Sequence, residues 1–367
     1  MKMTFRWFGE HDDAVPLRYI AQIPNISGVV TSLLDIPAGD VWSIARIRHM
    51  RDTVRSAGLT CEVIESVNVH ESIKLGAPER DEKIENYIKT LRNLHEFGIK
   101  AVCYNFMPVL DWVRSHLYFD LPDGSKTMMF SRDFIENTTP ELLAARYAED
   151  SGGVALPGWE PERLLYITDT IARYADMTDA QYVANAEYFL DAVIPYAERY
   201  DIKMAIHPDD PPTKIFGLPR LVNDADSIAR FLALHDSPYN GLTLCTGSLG
   251  ANPQNDVAAI AARFTDRIHF AHIRNLQFVS DTDFYESSHQ SGSLNIYGIV
   301  RALADNGFDG YVRPDHGRMI WGEADGMAVS PMSRTAARPG YGLYDRALGA
   351  AYLNGLWDAV TRGRVVN

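Results

Sequence analysis

Short apolar runs alternate with longer amphipathic stretches along most of this chain. Eight runs have the length and composition of strands: Met3–Phe8, Gly28–Leu33, Thr60–Glu65, Lys100–Asn105, Ile202–His207, Gly241–Cys245, Arg267–His272 and Gly310–Pro314. The spacing between them predicts helices. Val41–Ala57 carries Trp42, Ile44, Ile47 and Val54 at helical intervals and then meets Gly58, a residue that readily ends a helix. Asp81–Phe97 stops in the same way at Gly98. A shorter stretch near Pro16–Ile23, and then Ala180–Tyr200, Asp224–Leu234, Asp256–Phe264, Ile296–Asn306 and Tyr344–Thr361, continue the alternation.

This order predicts an α/β chain folded as one (β/α)8 TIM barrel over residues 1–367. A doubly wound sheet is the alternative, but no Gly-rich dinucleotide loop follows the first run. The rhythm breaks once. Residues 107–162 are too long for a connecting loop, and Phe134–Tyr147 within them has a helical pattern with a start signal at Thr139-Pro140. We read this segment as a helical insertion after the fourth strand that covers the barrel mouth. Residues 319–337 form a second long loop beside that mouth.

Composition narrows the picture. A hydrophobic fraction of 46% is enough for a sizeable core, and a net charge of -13 disfavours nucleic acid as a partner. Three cysteines, Cys61, Cys103 and Cys245, make no disulfide framework and fit a reducing compartment. Met1–Asp13 lacks the apolar core of a secretory signal, and no apolar run reaches the ~18 residues of a membrane span. The expectation is a cytoplasmic protein that binds neither nucleic acid nor membrane.

Position carries the chemistry. His207, Cys245, His272 and Asp315 sit at the C-terminal ends of runs five to eight, and in a parallel barrel all such ends face one mouth. Two imidazoles, a thiolate and a carboxylate make a site for a divalent ion, and ligand softness alone favours zinc. Arg274 follows His272 and suits a substrate carboxylate, or else a salt bridge to a barrel carboxylate. Asp209 and Asp210 either orient groups behind the site or belong to a solvated Pro-Asp turn. His316 is the best general acid or base by intrinsic pKa, and Arg318 brings a guanidinium to the same loop. Trp7 ends the first run, placed to pack on a sugar or in the core. Glu65 and Asn105 bind hydroxyls or satisfy backbone groups.

Seven motifs in order resemble the mannonate dehydratase family: Thr4-Phe-Arg-Trp-Phe-Gly9, Gly28-Val-Val-Thr31, Ala205-Ile-His-Pro-Asp-Asp-Pro-Pro212, Cys245-Thr-Gly-Ser248, His269-Phe-Ala-His-Ile-Arg-Asn275, Arg313-Pro-Asp-His-Gly-Arg318 and Arg338-Pro-Gly-Tyr-Gly-Leu-Tyr-Asp-Arg-Ala347. The likeness runs from Thr4 to about Ala359, and the architecture is similar to the xylose-isomerase-like barrels. It implies dehydration of D-mannonate to 2-keto-3-deoxy-D-gluconate in hexuronate breakdown. It implies Mn2+, with Fe2+ or another divalent ion able to substitute, on His207, Cys245, His272 and Asp315. It also implies proton transfer by His316 and Tyr341, and a homodimer or larger assembly. The rival is a sugar or sugar-acid isomerase or epimerase on the same barrel. A metal-dependent nuclease and a non-catalytic sugar-acid binder are more distant alternatives.

Overall fold

The computed structural model describes residues 1–150, 166–325 and 337–362. Among them, eight parallel strands close a barrel: β1 (Lys2–Arg6), β2 (Gly28–Thr31), β3 (Thr60–Glu65), β4 (Ala101–Tyr104), β7 (Lys203–Ile206), β8 (Asn240–Cys245), β9 (Ile268–Ile273) and β12 (Tyr311–Pro314). Each pairs with its neighbours in chain order, and β12 closes on β1. The expected (β/α)8 barrel is the fold.

Side chains alternate across each strand, because successive Cβ atoms point to opposite faces. Val30, Val63, Ala101, Cys103, Phe270 and Tyr311 form a small cluster inside the barrel. Their neighbours Val29, Ile64, Val102, Ala271 and Val312 belong to the larger core between strands and helices. The same parity sends Arg6, Glu65, Cys245, His272 and Arg313 inward at the C-terminal end.

The helices lie where the apolar spacing put them, and their starts are locally specified. Thr178 and Gln181 form a capping box at the head of Asp179–Arg199. Asp224 and Ser227 do the same for Ala225–Leu234. Ser43 caps Ile44–Ser56 by accepting from Arg46 N.

The sequence pattern suggested a helical segment after the fourth strand, but the segment is only partly helical. It opens with a hairpin, β5 (His116–Asp120) and β6 (Lys126–Phe130), turned at Asp123-Gly124. The expected single helix is two, Arg132–Glu136 and Pro140–Asp150. The loop after β9 adds β10 (Asn275–Phe278) and β11 (Phe284–Ser287), and β11 pairs with β6. The result is a four-stranded antiparallel sheet made from two distant excursions of the chain. The end of the expected insertion, 151–162, and residues 326–336 of the second long loop lie outside the described residues.

Candidate active site

A cleft opens at the C-terminal mouth. Its walls include Arg6, Glu65, Asn105, His207, Arg313, Asp315, His316 and Tyr341 from the barrel side, with Asp111, Trp112 and Met128 from the segment after β4. Strand register sets its floor: Cys245 is paired with His272, and His272 with Arg313.

His207, Cys245 and His272 each offer one ligand atom, and those atoms lie within 4.8 Å of one another. His207 Nδ1 is 2.7 Å from Pro208 O, an arrangement that places its proton there and turns Nε2 to the cluster. Ser248 Oγ donates to Cys245 Sγ at 3.0 Å. Burial opposes a charge on Cys245, but Arg274 and His207 outweigh it and hold the thiol well below its usual range. Burial likewise opposes a charge on His207, and the Cys245 thiolate raises its pKa to about 9. His272 Nε2 is buried without a hydrogen-bond partner. A thiolate beside two imidazoles, one of which has a buried ring nitrogen that makes no hydrogen bond, fits a divalent transition ion.

Asp315 stands at the edge of this group, its Oδ2 3.7 Å from Cys245 Sγ. Arg313 Nη1 meets Oδ1 at 2.6 Å, and Arg274 Nε meets Oδ2 at 3.1 Å. Glu65 approaches His272 Nε2 at 3.2 Å and is gripped through both oxygens by Arg313.

His316 and Tyr341 have ring centroids 5.4 Å apart. His316 Nε2 is 3.7 Å from Asp315 Oδ2, and its Nδ1 is 3.6 Å from Glu286 Oε1 without a hydrogen bond. Burial lowers the His316 pKa despite those carboxylates. Tyr341 Oη faces Asp315 Oδ1 at 3.5 Å, and burial together with that carboxylate pushes its pKa up. Near neutral pH the imidazole is therefore neutral and the phenol protonated.

Three expected substrate contacts fall elsewhere. Arg274 is fully buried behind the cluster and does not line the cleft. Its guanidinium meets Glu286 at 2.6 Å and Asp210 at 2.8 Å as well as Asp315, so the salt-bridge reading holds. Arg318 is taken by Asp345 at 3.1 Å and Asp123 at 3.2 Å. Trp7 has the outward parity of β1 and packs in the core beyond the barrel. Asn105 does line the cleft.

Asp210 is not part of a solvated turn. It is 3% exposed and is clamped through both oxygens by Arg114, which also meets Glu286 at 2.6 Å. Asp209 accepts from the backbone N–H of Leu221 and Val222. Arg114 had no sequence signal, because its partners lie 96 and 172 positions away.

Soft and imidazole donors gathered inside the open end of a parallel barrel define a class, the barrel enzymes built around a divalent-metal site. Comparison with known proteins narrows it. A sequence model of the D-mannonate dehydratase (UxuA) family matches residues 1–366. The mannonate dehydratase of Thermotoga neapolitana is 52% identical over 366 residues, covering 99% of this chain and 98% of that one. The crystal structure of mannonate dehydratase from Streptococcus suis serotype 2 superposes with a TM-score of 0.86 at 41% identity, covering 99% of this chain and 96% of that one. A xylose isomerase domain protein from Planctomyces limnophilus, at 9% identity and TM-score 0.56 over 98% of this chain and 99% of that one, shares the fold alone. The chain belongs to the D-mannonate dehydratase family of hydro-lyases.

Proposed function

We propose that this enzyme removes water from D-mannonate to give 2-keto-3-deoxy-D-gluconate, with Mn2+ held by His207, Cys245, His272 and Asp315. Fe2+ or another divalent ion is the substitute. The observation that carries this reading is the thiolate-bearing His/Cys/His cluster beside a His–Tyr pair in one cleft, in a chain of this family. When bound, the ion supplies Lewis-acid stabilisation of charge developing at the substrate's carboxylate end.

The chain's own residues do the rest. The C2 proton of the sugar acid is barely acidic, and hydroxide at C3 is a poor leaving group. Neutral His316 accepts the C2 proton at a ring nitrogen, and the protonated Tyr341 Oη donates to the departing hydroxyl. Arg313 and Arg274 hold the Asp315 carboxylate ionised and in place between these two side chains. The enol released in this way tautomerises to the 2-keto acid. The same reading puts the enzyme in the cytoplasm, in hexuronate breakdown, as a homodimer or larger. It agrees with three free buried cysteines, and with no helix among the described residues being long and apolar enough to cross a membrane.

The test is to incubate the Mn2+-loaded protein with a panel of aldonates and assay 2-keto-3-deoxy acids, then repeat in deuterated water. D-mannonate is expected to be dehydrated. Tyr341→Phe should keep exchange of the C2 proton without losing water, whereas His316→Asn should lose both. A product that retains all its oxygens points to the isomerase or epimerase instead. Exchange lost in Tyr341→Phe and kept in His316→Asn reverses the two roles.

A further inference from the structure

Arg6 differs from the other arginines around the cleft. Arg313 is tied to Glu65 and Asp315, and Arg338 donates to Asp12 O and lies near its carboxylate. Arg6, at the C-terminal end of β1, is 3% exposed. Its Nη1 donates to Trp7 O at 3.3 Å and Val30 O at 3.2 Å. Among the described residues, no carboxylate lies within ion-pair distance of it, and Nε and Nη2 have no protein hydrogen-bond partner. Its guanidinium packs on the Phe8 ring, 4.4 Å from the centroid, and that ring meets Tyr341 edge-on at 4.9 Å.

The position of Arg6 is fixed. Arg346, itself buried, donates from Nη1 to Arg6 O at 2.9 Å and from Nη2 to Tyr341 O. One side chain thus ties the backbone of Arg6 to that of the acid–base loop. Glu65 attracts this cation from beyond ion-pair distance, but both its oxygens are taken by Arg313, so an anionic ligand in the cleft supplies the close counter-charge that buried Arg6 lacks. Planar, bidentate binding of a carboxylate is the chemistry a guanidinium offers best.

We propose that Arg6 binds the carboxylate of the sugar-acid substrate and so selects acids over neutral polyols and amides. The proposal rests on the dehydratase reading and replaces Arg274 and Arg318 in that role.

The test measures KM and kcat for D-mannonate, and the inhibition constant of its uncharged amide, in Mn2+-loaded native protein, Arg6→Met and Arg6→Lys. Circular dichroism checks that each variant is folded. Arg6→Met should raise KM by about tenfold to a hundredfold, the worth of a charge-assisted hydrogen bond, with the amide constant within about twofold of native. Arg6→Lys should recover part of the loss. The clamp is overturned if KM in Arg6→Met stays within about twofold of native, or if acid and amide weaken equally. If native protein does not turn over D-mannonate, the dehydratase reading fails, and calorimetric binding then decides the clamp. A native preference for acid over amide that Arg6→Met abolishes supports it, whereas equal binding, or binding of neither, overturns it.

Discussion

Replacing Arg274 with Met separates a structural arginine from a substrate-binding one. Arg274 is fully buried and faces Glu286, Asp210 and Asp315. Arg114 still serves Asp210 and Glu286 in the variant, and Arg313 still serves Asp315, so one negative charge is left without compensation. Breaking a buried pair in this way costs about 3–5 kcal/mol. With a urea slope of about 3 kcal/mol/M, the unfolding midpoint should fall by roughly 1–1.7 M. Arg274→Met/Glu286→Met removes one charge of each sign and should regain part of that loss, because an apolar replacement of a whole pair is often close to neutral. Urea unfolding followed by circular dichroism on native, single and double variants is the assay. An Arg274→Met protein with native stability and only a raised KM would refute the reasoning and restore Arg274 as a substrate contact.

Acid should unfold the protein through the same group. Burial opposes ionisation of Asp210 and Glu286, but the arginines outweigh it and hold both below the ordinary carboxylate range. Their contribution is therefore complete above about pH 5, where the unfolded carboxyls are ionised too, and is lost as pH falls toward the lowered values. The urea midpoint of native protein should drop more steeply between pH 6 and 3 than that of the double variant, and parallel curves would contradict this. Gly247→Ala should cost about 1–3 kcal/mol, because the added Cβ overlaps the Arg274 guanidinium, and the cost should shrink in the Arg274→Met background. Equal costs in both backgrounds would show that the contact is not the cause. Mn2+ at a hundred times its Kd should stabilise chelator-treated protein by ~2.7 kcal/mol, which at about 2.1 cal/mol/K per residue over 367 residues is a Tm rise of roughly 3–4 °C. A scan unchanged by the ion would count against the site.

The barrel was legible because each strand-like run is short, apolar and followed by a helix of matching period. The convergence of His207, Cys245 and His272 followed from topology, since parallel strands end on one side. What escaped was parity and distance. Trp7 and Arg6 are adjacent at the end of β1, and only the period of two says that Arg6 faces inward. The signal was present in Thr4 and Arg6, the polar alternates of an otherwise apolar run, because the interior of this barrel's open end is the polar side. Asp123-Gly124 between two apolar runs was a hairpin signal that the helical pattern further along obscured. The Arg114–Asp210–Arg274–Glu286 group had no local signature, because only the folded chain brings its members together.

The sheet beside the mouth joins β5 and β6, between the fourth and fifth barrel strands, to β10 and β11, from the loop after the seventh. Arg114 comes from the first excursion and Glu286 from the second, and each neutralises what the other brings. The two excursions therefore work as halves of a lock. Transplanting either one alone between relatives would carry a charge into the interior without its match, so this rim of the enzyme is expected to be inherited, recombined and engineered only as a pair.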